Sequence, residues 1–417
     1  MGKKLRIPVE RLQIGMSVVE LDRPWIETPF LLQGFTIGNR TDISAVQEYC
    51  KYVYIDAESM PIAVKKNRED EDVDVDKPGF FNNLYKKRQE PVVTTSVEKE
   101  VSTASKVHTQ ASNLVKNCMQ DIMLGNAINE EQLKQNVTDT VESIVRNPDA
   151  MMWLTRLENK DDNASQHSVN CSILAVAFGR YIGLPNDELE KLAVCALMHD
   201  IGKLQIPTEI LTKPGDLTDN ERKVLRAHPT SSRSLLMSAG NYFHSAVDVA
   251  YTHHERIDGS GYPRGLKGPQ ISPFARMLAI IDTYDTMTTP QVYQEERAPF
   301  ECLKYLNSQK GIKFDEQLVK LFIKMIGVFP IGSVIELSTG EVGIVITSNR
   351  EDNLRPKVLV MLDSNKMANE RKIVNLARSA TDALGRPIKI ARTLRKGDYG
   401  IDQKQLVREG VEFTVVN

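Results

Sequence analysis

The chain has 417 residues, of which 41% are hydrophobic and 26% charged, and its formal net charge at pH 7 is −2. These values are ordinary for a soluble globular protein of two to four domains. A net charge this close to zero gives no global basic field that would attract a nucleic acid polymer or an acidic membrane. The sequence also predicts no membrane span, because no uncharged apolar run approaches the roughly 20 residues that a bilayer requires.

The N-terminus and the cysteines indicate the compartment. The first residues, MGKKLRIPVERL, lack the apolar segment of a secretory signal. The five cysteines are odd in number, widely scattered and without a CxxC pair, which argues against a disulfide framework: Cys50, Cys118, Cys171, Cys195 and Cys302. Cys171 and Cys195 have apolar neighbours, so we interpret them as buried thiols. Together these features predict a cytoplasmic protein.

The N-terminal part of the chain is predicted to be a small α+β module, residues 1–62. Strands are expected at Met16–Leu21, Phe35–Ile37 and Tyr52–Ile55, where short β-type runs alternate with proline and glycine. Residues 63–97 are dense in charge and poor in core-forming residues, which predicts a flexible linker.

A helical connector is predicted at residues 98–148. Its apolar residues recur at spacings of three and four and form one narrow stripe: Val101, Ala104, His108, Ala111, Val115, Cys118 and Ile122. Such a stripe can form the seam of a homodimer, although a histidine within it would weaken a coiled coil. The alternative is a helix that packs on its own neighbouring domain.

Residues 149–330 are helical by pattern, and residues 331–417 return to a strand period. Leu189–Met198 is predicted to be a buried helix that runs into His199, and Thr218–Glu221 has the form of a capping box. Beyond Pro330, Val334–Leu337 and Val342–Ile346 flank a Thr-Gly turn and predict a hairpin, with Lys357–Leu362 as a further strand. The predicted fold class is therefore multidomain, with an all-α domain flanked by a small α+β module and a small β module.

The histidines are concentrated in the helical part of the chain. Of seven histidines, five fall in one segment: His167, His199, His228, His253 and His254. Any one of them alone could be a core residue, and we interpret His108 and His244 in that way. Five together, two adjacent and one followed by Asp200, are difficult to bury unless they bind something.

The mixture of imidazole and carboxylate predicts a metal site. These donors suit Mn, Fe, Ni or Zn, and the lack of a cysteine cluster argues against a closed structural zinc site. Hydrolysis of a phosphate ester benefits from two ions about 3.5–4 Å apart, with open coordination positions. Asp200 is the natural bridging ligand, because one carboxylate can offer an oxygen to each ion.

Three further positions complete the predicted site. If the helix continues past His199, Lys203 lies on the same face one turn later, where it could neutralise a phosphate oxygen. Asp282 follows an apolar helical run and would be costly to bury unless it binds metal. Asp285, one turn later, is interpreted as a hydrogen-bonding support for a ligand.

The segment after the paired histidines reads His-His-Glu-Arg-Ile-Asp-Gly-Ser-Gly-Tyr-Pro at 253–263. Its glycines and proline predict a tight loop that lets the backbone approach a ligand closely. Tyr262 offers both a ring and a hydroxyl. Gly261, Tyr262 and Pro263 therefore form a candidate ligand-binding loop.

These motifs, in this order, closely resemble the HD-GYP family of the HD hydrolase superfamily over residues 149–330. The resemblance rests on His-Asp-Ile-Gly-Lys at 199–203, Ile-Leu-Thr-Lys-Pro-Gly at 210–215, His228-Pro229, the segment 253–263, and Asp282-Thr-Tyr-Asp285. Residues 1–60 also look like the uncharacterised module that often precedes HD-GYP domains. The resemblance implies an HD-type helical domain that hydrolyses cyclic di-GMP to linear pGpG or GMP, with diguanylate cyclase (GGDEF) proteins as potential partners.

The resemblance also implies a ligand set and a mechanism. One ion would be held by His167, His199, Asp200 and Asp282, and the other by Asp200, His228, His253 and His254. Fe and Mn are the favoured ions, with Ni, Co and Zn as alternatives. Lys203 would contact the phosphate, Tyr262 would line the nucleotide pocket, and a hydroxide bridging the ions would be the nucleophile.

Two positions depart from the family pattern. Members with a third metal carry a glutamate where this chain has Asn163, so two metals are predicted. An arginine that grips the ligand phosphates in many members corresponds to Gln291, which should weaken dinucleotide binding or shift its preference. Two alternatives to a cyclic di-GMP phosphodiesterase therefore stay open: a hydrolase of another nucleotide such as cyclic GMP-AMP, and a weakly catalytic cyclic di-GMP receptor.

Overall fold

A computed structural model describes most of the chain in thirteen stretches. They are residues 4–14, 16–23, 35–37, 40–56, 92–157, 163–238, 244–289, 296–349, 352–378, 380–382, 384–395, 397–409 and 414–415. The chain divides into two compact units, one formed by Met1–Lys77 with Glu351–Leu354 and the other by the remaining residues. Each is described by itself below. Most of the predicted linker 63–97 lies outside the described residues.

The N-terminal unit is a four-stranded antiparallel sheet with one helix. Its elements are β1 (Lys4–Pro8), β2 (Ser17–Leu21), β3 (Phe35–Thr36), α1 (Arg40–Tyr49) and β4 (Tyr52–Asp56). The strand order is β1-β4-β2-β3, and Val18 pairs with Ile55 at the centre of the sheet. Val18, Val53 and Ile55 are fully buried and pack with Val46 of α1. The three predicted strands are confirmed, whereas β1 and α1 were not predicted.

The second unit begins with a helical domain. Its α-helices are α2 (Val97–Leu124), α3 (Glu130–Arg146), α4 (Pro148–Leu154), α5 (Asn163–Ile182), α6 (Asn186–Met198), α7 (Thr208–Leu211), α8 (Asp219–Leu225), α9 (His228–Ser238), α10 (His244–Thr252), α11 (Pro273–Thr288), α12 (Pro299–Ser308) and α13 (Glu316–Ile326). The predicted capping box is present, since Thr218 and Glu221 exchange side-chain and backbone hydrogen bonds at the start of α8. This reciprocal pairing satisfies donors that a helix N-terminus leaves free.

The apolar stripe of α2 packs within its own chain. Val101, Ala104 and Val115 are buried, and α2 contacts α3, α4 and α5. Buried Glu100 strengthens this packing, because it accepts hydrogen bonds from Ser143 and from Arg146 of α3. The stripe is thus explained by intramolecular contacts, and a homodimer stays a prediction.

Helix α5 is the centre of the domain and positions the histidines. From Ser165 to Ile182 it is buried along its whole length, and it packs on α6 and α11. Phe178 meets Phe322 of α13 edge to face, with ring centroids 5.4 Å apart. These contacts bring together His167 on α5, the end of α6 and Asp282 on α11.

A six-stranded sheet follows the helices. Its strands are β5 (Val334–Leu337), β6 (Val342–Thr347), β7 (Lys357–Leu362), β8 (Ala368–Asn375), β9 (Ile390–Thr393) and β10 (Thr414–Val415), in the order β10-β8-β7-β6-β5-β9. Val334 pairs with Ile344, which confirms the predicted hairpin. A short helix α14 (Gln403–Glu409) joins the sheet to the helical domain: Trp153 donates a hydrogen bond to Gln403, which in turn donates to the carbonyl of Gly332. The strands β8 to β10 were not predicted.

Two sequence expectations concern the whole chain. Among the described residues, no helix is long and apolar enough to cross a membrane. All five cysteines are free thiols and are buried.

Candidate metal centre

Three of the five histidines stand at or just beyond the end of a helix. His199 follows α6, His253 follows α10, and His228 comes three residues after Leu225, the last residue of α8. In each case Nδ1 lies within hydrogen-bond distance of the carbonyl three residues earlier: Ala196 at 2.8 Å, Ala250 at 2.9 Å and Leu225 at 2.7 Å. The last carbonyls of a helix have no partner within the helix, so they are free to accept these bonds. An imidazole that donates through Nδ1 presents the lone pair of Nε2, and all three Nε2 atoms face Asp200.

Asp200 divides its carboxylate between two groups of histidines. Its Oδ2 atom lies 3.5 Å from Nε2 of His167 and 3.4 Å from Nε2 of His199. Its Oδ1 atom lies 3.1 Å from Nε2 of His228 and 3.6 Å from Nε2 of His253. One buried carboxylate therefore faces a separate pair of imidazoles with each oxygen.

Asp282 and His254 complete the two groups. Asp282 Oδ1 lies 3.2 Å from Nε2 of His167, and Asp282 Oδ2 lies 3.7 Å from Nδ1 of His254. The Nε2 atom of His254 is 3.1 Å from Nε2 of His228. Candidate donor atoms thus gather in two sets, each within 4.8 Å: His167, His199 and Asp282 with Cys171, and Asp200 with His228, His253 and His254. All seven predicted ligands meet at one place.

The charges in this cluster suit a cation. Burial alone would raise the pKa of Asp200, but Lys203 and His199 lower that pKa well below its usual range. Burial likewise opposes ionisation of Asp282, whereas the hydrogen bond with His167 and the charge of His254 hold its pKa well below normal. Burial lowers the pKa of His199 to about 3. Both carboxylates are therefore anionic at neutral pH and the His199 imidazole is neutral, which are the protonation states that bind metal.

Two buried polar atoms in the cluster lack a partner among the described residues. His199 Nε2 and Asp200 Oδ1 make no hydrogen bond. A buried donor or acceptor without a partner destabilises the fold by about 1–3 kcal/mol. Divalent ions coordinated by these atoms would remove that penalty, and imidazole with carboxylate is a donor set that such ions accept. The residues present therefore fit a metal centre.

Cys171 lies closer to the cluster than the sequence indicated. Its Sγ is 3.7 Å from Nε2 of His167, one turn earlier on α5. Burial raises the pKa of the Cys171 thiol to about 12. Because the thiolate is the metal-binding form, Cys171 lines the cluster at neutral pH as an uncharged thiol and not as a ligand.

Lys203 reaches the cluster by a route that differs from the prediction. The condition on which the helical placement of Lys203 depended is not met: α6 ends at Met198, and residues Ile201–Gln205 form a 3-10 helix. Lys203 turns back from this segment, and its Nζ contacts Oδ2 of Asp200. The tighter helix has three residues per turn, so residues three apart share a face.

The loop after the paired histidines folds back over them. Tyr262 stacks on His254, with ring centroids 4.8 Å apart and an angle of 26° between the planes. A Cβ atom at Gly261 would come within 2.4 Å of Glu255 Cα and of Arg256 N, so the return path requires glycine there. Pro263 follows through a cis peptide bond and is exposed. Gly261 and Tyr262 thus belong to the loop that folds back on His254, and their role in substrate binding stays a prediction.

The comparisons with known proteins agree with this geometry. The chain matches family models described as HD domain over residues 152–318, domain of unknown function (DUF3391) over residues 4–133, and KOW domain associated with HD domain over residues 334–391. It is 32% identical over 377 residues to cyclic di-GMP phosphodiesterase PA4108 of Pseudomonas aeruginosa. This match covers 90% of this chain and 89% of that protein. The chain belongs to the HD-GYP family.

Other relatives of this HD-GYP protein match over less of the chain. The cyclic di-GMP phosphodiesterase response regulator RpfG of Xanthomonas campestris is 33% identical over 47% of this chain and 51% of its own length. The 3'3'-cGAMP-specific phosphodiesterase 1 of Vibrio cholerae is 34% identical over 42% of this chain and 41% of its own length. Relatives named for two different cyclic dinucleotides therefore resemble the HD-GYP domain to a similar degree.

Sequence reasoning missed two supports of the HD-GYP centre. Buried Glu255 accepts hydrogen bonds from the backbone N–H groups of Arg264 and Leu266, and so closes the loop that carries Tyr262. Ser232 accepts from the N–H of Gly202 and donates to the carbonyl of His199, which joins the first motif to α9. Glu255 could have been noticed in the sequence, because it is an acidic residue inside the predicted turn. Nothing in the sequence around Ser232 indicates its role.

Three sequence expectations fall partly or wholly outside the described residues. Gln291 lies outside them, as do the side chains of Asn163 and His244. His108 is described, and its Nε2 lies 3.3 Å from Nε2 of Gln166. Burial lowers the pKa of His108 to about 4, in agreement with its interpretation as a structural residue.

Proposed function

We propose that the chain is a metal-dependent phosphodiesterase that hydrolyses cyclic di-GMP to linear pGpG, GMP or both at a binuclear His/Asp centre. The observation that carries this proposal is the division of the Asp200 carboxylate, whose two oxygens face different pairs of imidazoles. A relative named cyclic di-GMP phosphodiesterase, 32% identical over 90% of the chain, supports the choice of substrate.

The proposed ligands follow the two groups of donors. His167, His199 and Asp282 would hold one ion, His228, His253 and His254 the other, and Asp200 both. Fe or Mn are the favoured ions for this mixture of imidazole and carboxylate, and Ni, Co or Zn are alternatives. When bound, two such ions activate water and stabilise the charge that develops on the phosphate during an in-line displacement.

The chain's own side chains would orient the phosphate and the nucleotide. Lys203 is about one-third exposed and contacts Asp200, so its ammonium can also reach a phosphate oxygen that approaches the cluster. A cation aimed at a phosphate oxygen stabilises the charge of the transition state. Tyr262, with Gly261 and Pro263 on either side, would form a wall of the nucleotide pocket. Burial raises the pKa of the Tyr262 phenol, so the hydroxyl stays a neutral donor.

A second substrate is a specific alternative. The relative named 3'3'-cGAMP-specific phosphodiesterase 1 is 34% identical over 42% of the chain, which is similar to the match of two relatives named for cyclic di-GMP. Cyclic GMP-AMP has the same two phosphodiesters and differs in one base, so the metal centre alone cannot separate the two dinucleotides.

The test is turnover by purified protein loaded with Mn²⁺ or Fe²⁺. Cyclic di-GMP and 3'3'-cGAMP are incubated separately, and pGpG, GMP and AMP are separated by chromatography. We expect cleavage of cyclic di-GMP that Asp200→Ala abolishes and that Asp248→Asn, which alters an exposed carboxylate on α10, retains. If only 3'3'-cGAMP is cleaved, that dinucleotide and not cyclic di-GMP is the substrate. If cyclic di-GMP binds tightly but is cleaved with neither metal, the chain is a cyclic di-GMP receptor and not a phosphodiesterase.

A further inference from the structure

A cation lies over an aromatic ring that contacts the candidate metal centre. The guanidinium carbon of Arg226 lies 5.2 Å from the centroid of the Tyr262 ring, and the same ring stacks on His254. Arg226 is exposed and directly follows α8, two residues before His228. One aromatic ring thus contacts both Arg226 and a proposed ligand.

The guanidinium of Arg226 keeps its donors available. Stacking uses the face of the guanidinium and leaves its N–H groups at the edge of the plane. In the described stretches of the chain, no carboxylate lies within ion-pair distance of Arg226. Arg256, by contrast, donates to the carbonyls of His253 and Glu255, and Arg276 pairs with Asp315 at 3.2 Å. Those two arginines serve the fold, whereas the Arg226 guanidinium lies over Tyr262 without a hydrogen bond or ion pair to any residue that the structure describes.

A cyclic dinucleotide offers a partner for such a cation. Its ring contains two phosphodiesters on opposite sides, and both are anionic at neutral pH. In the function proposed above, on which this inference rests, one phosphodiester lies at the ions beside Lys203. The second must then lie outside the cluster and needs a cation of its own, since a buried or half-buried phosphate without a partner binds poorly.

We propose that Arg226 binds the second phosphate of the cyclic dinucleotide, the one that is not cleaved. Tyr262 fixes the guanidinium in position and couples it to the His254 side of the centre. Arg226 is therefore a substrate-binding residue that acts on affinity, while the ligands and Lys203 act on the cleaved phosphate. This position would supply a phosphate contact independent of the segment around Gln291.

The test compares Arg226→Gln with Arg222→Gln in the metal-loaded full-length chain. Arg222 is an exposed arginine one turn earlier on α8, so its variant removes the same charge from nearly the same place. The measurements are KM and kcat for cyclic di-GMP, and inhibition constants for pGpG, which keeps the uncleaved phosphodiester, and for GMP, which does not contain it. Bound metal is measured in each variant by elemental analysis.

We expect Arg226→Gln to raise KM for cyclic di-GMP and the inhibition constant of pGpG by about tenfold, the loss of one charge-assisted contact. Binding of GMP, kcat and bound metal should stay within about twofold of wild type, as should every value for Arg222→Gln. Equal weakening of GMP would show that Arg226 binds a base or the cleaved phosphate, and equal effects of the two variants would show a general charge effect. Either result would overturn the proposal.

The outcome is separable from that of the proposed function. If the wild-type chain does not cleave cyclic di-GMP, the function fails, and isothermal titration with the same three ligands still compares the variants. Absence of cyclic di-GMP binding in that titration would refute the Arg226 proposal as well. Cleavage with unchanged affinity in Arg226→Gln would retain the function and refute the role of Arg226.

Discussion

Oδ2 of Asp285 lies 2.8 Å from Nδ1 of His167, and this hydrogen bond turns Nε2 of the same ring toward Asp200 and Asp282. The two residues are 118 positions apart, on α5 and α11. A carboxylate behind a metal-binding histidine fixes the orientation of the ring and makes it a stronger ligand. This contact supports the proposal that Asp285 positions His167, which stays a prediction.

We expect Asp285→Asn to weaken binding of one ion by about 10- to 100-fold, the range typical for loss of such a support. The other ion should be retained, because Asp285 contacts no ligand of the second group among the described residues. Metal content after dialysis against graded chelator concentrations measures this, with Asp248→Asn as the control. Loss of both ions at the same chelator concentration would contradict the prediction.

His253→Ala and His254→Ala should each reduce bound metal from about two ions to about one ion per chain. Both imidazoles belong to the group around Oδ1 of Asp200, so the group around Oδ2 keeps its ligands. His108→Gln, which alters a partly buried imidazole outside the cluster, should keep both ions. Normal metal content in both alanine variants by elemental analysis would refute the ligand assignment.

Gly202→Ala should destabilise the fold and disturb His228. A Cβ atom at this position would lie 2.1 Å from the carbonyl oxygen of His228 and 2.4 Å from N of Ser232. Overpacking of this kind destabilises a protein by about 1–3 kcal/mol. Gly125→Ala is the matched control: its Cβ would meet open space, so only backbone strain at φ +74° applies. Thermal unfolding and metal content measure both, and wild-type metal binding by Gly202→Ala would count against the close contact.

Glu255→Gln should open the loop that carries Tyr262. The amide can replace only one of the two carboxylate oxygens that accept from Arg264 and Leu266, and its NH2 group would face a backbone N–H. The loss of one such hydrogen bond at a buried position destabilises the loop by about 1–3 kcal/mol. Hydrogen exchange should show faster exchange of these two amides with little change in α5. Unchanged exchange rates at both amides would show that Glu255 does not hold this loop in place.

The stability of the chain should decrease at acidic pH through His108. Burial lowers the pKa of His108 to about 4, whereas an unfolded histidine titrates near 6.5. Between these values the unfolded chain binds a proton that the folded chain does not, so the free energy of unfolding falls as pH falls from about 6.5 to about 4. At pH 5 this contribution is on the order of 2 kcal/mol. The measurement is urea unfolding of metal-depleted wild type and His108→Gln at pH 7 and pH 5. The free energy of unfolding should decrease less in the variant than in wild type, and equal decreases would show that His108 is not the group responsible.

The residues of the His/Asp cluster could be picked out from the sequence because most of them have a distinctive neighbour. Adjacent histidines, a histidine followed by aspartate and an aspartate after an apolar helical run are rare unless something binds them. The supports were harder to predict, because Ser232 and Gly202 matter only through a contact between α9 and the segment after α6. The backbone conformation at Lys203 could not be predicted for a related reason. The helix ends before His199, and the pattern of apolar residues contains no sign of the 3-10 helix that follows.

In the fold, too, elements that depend on neighbouring residues could be predicted, and elements that depend on distant contacts could not. The hairpin of β5 and β6 and the capping box of α8 depend on neighbouring residues and were predicted. The strands β8 and β9 have few buried residues, so their pattern is weak and pairing with β7 and β5 defines them. The domain boundaries at residues 62, 97, 148 and 330 remain predictions, as do the GGDEF partner and the cytoplasmic location.

The helix ends that orient His199, His228 and His253 have a further electrostatic consequence. The aligned peptide dipoles of a helix leave about half a negative charge at its C-terminus. Helices α6 and α10 end at this cluster, so two such partial charges lie near the carboxylates of Asp200 and Asp282, whereas at His228 the end of α8 is offset by the N-terminus of α9. The ends of α6 and α10 therefore favour positive charge there, and a substitution that frayed the last turn of either helix would weaken cation binding without changing a single ligand.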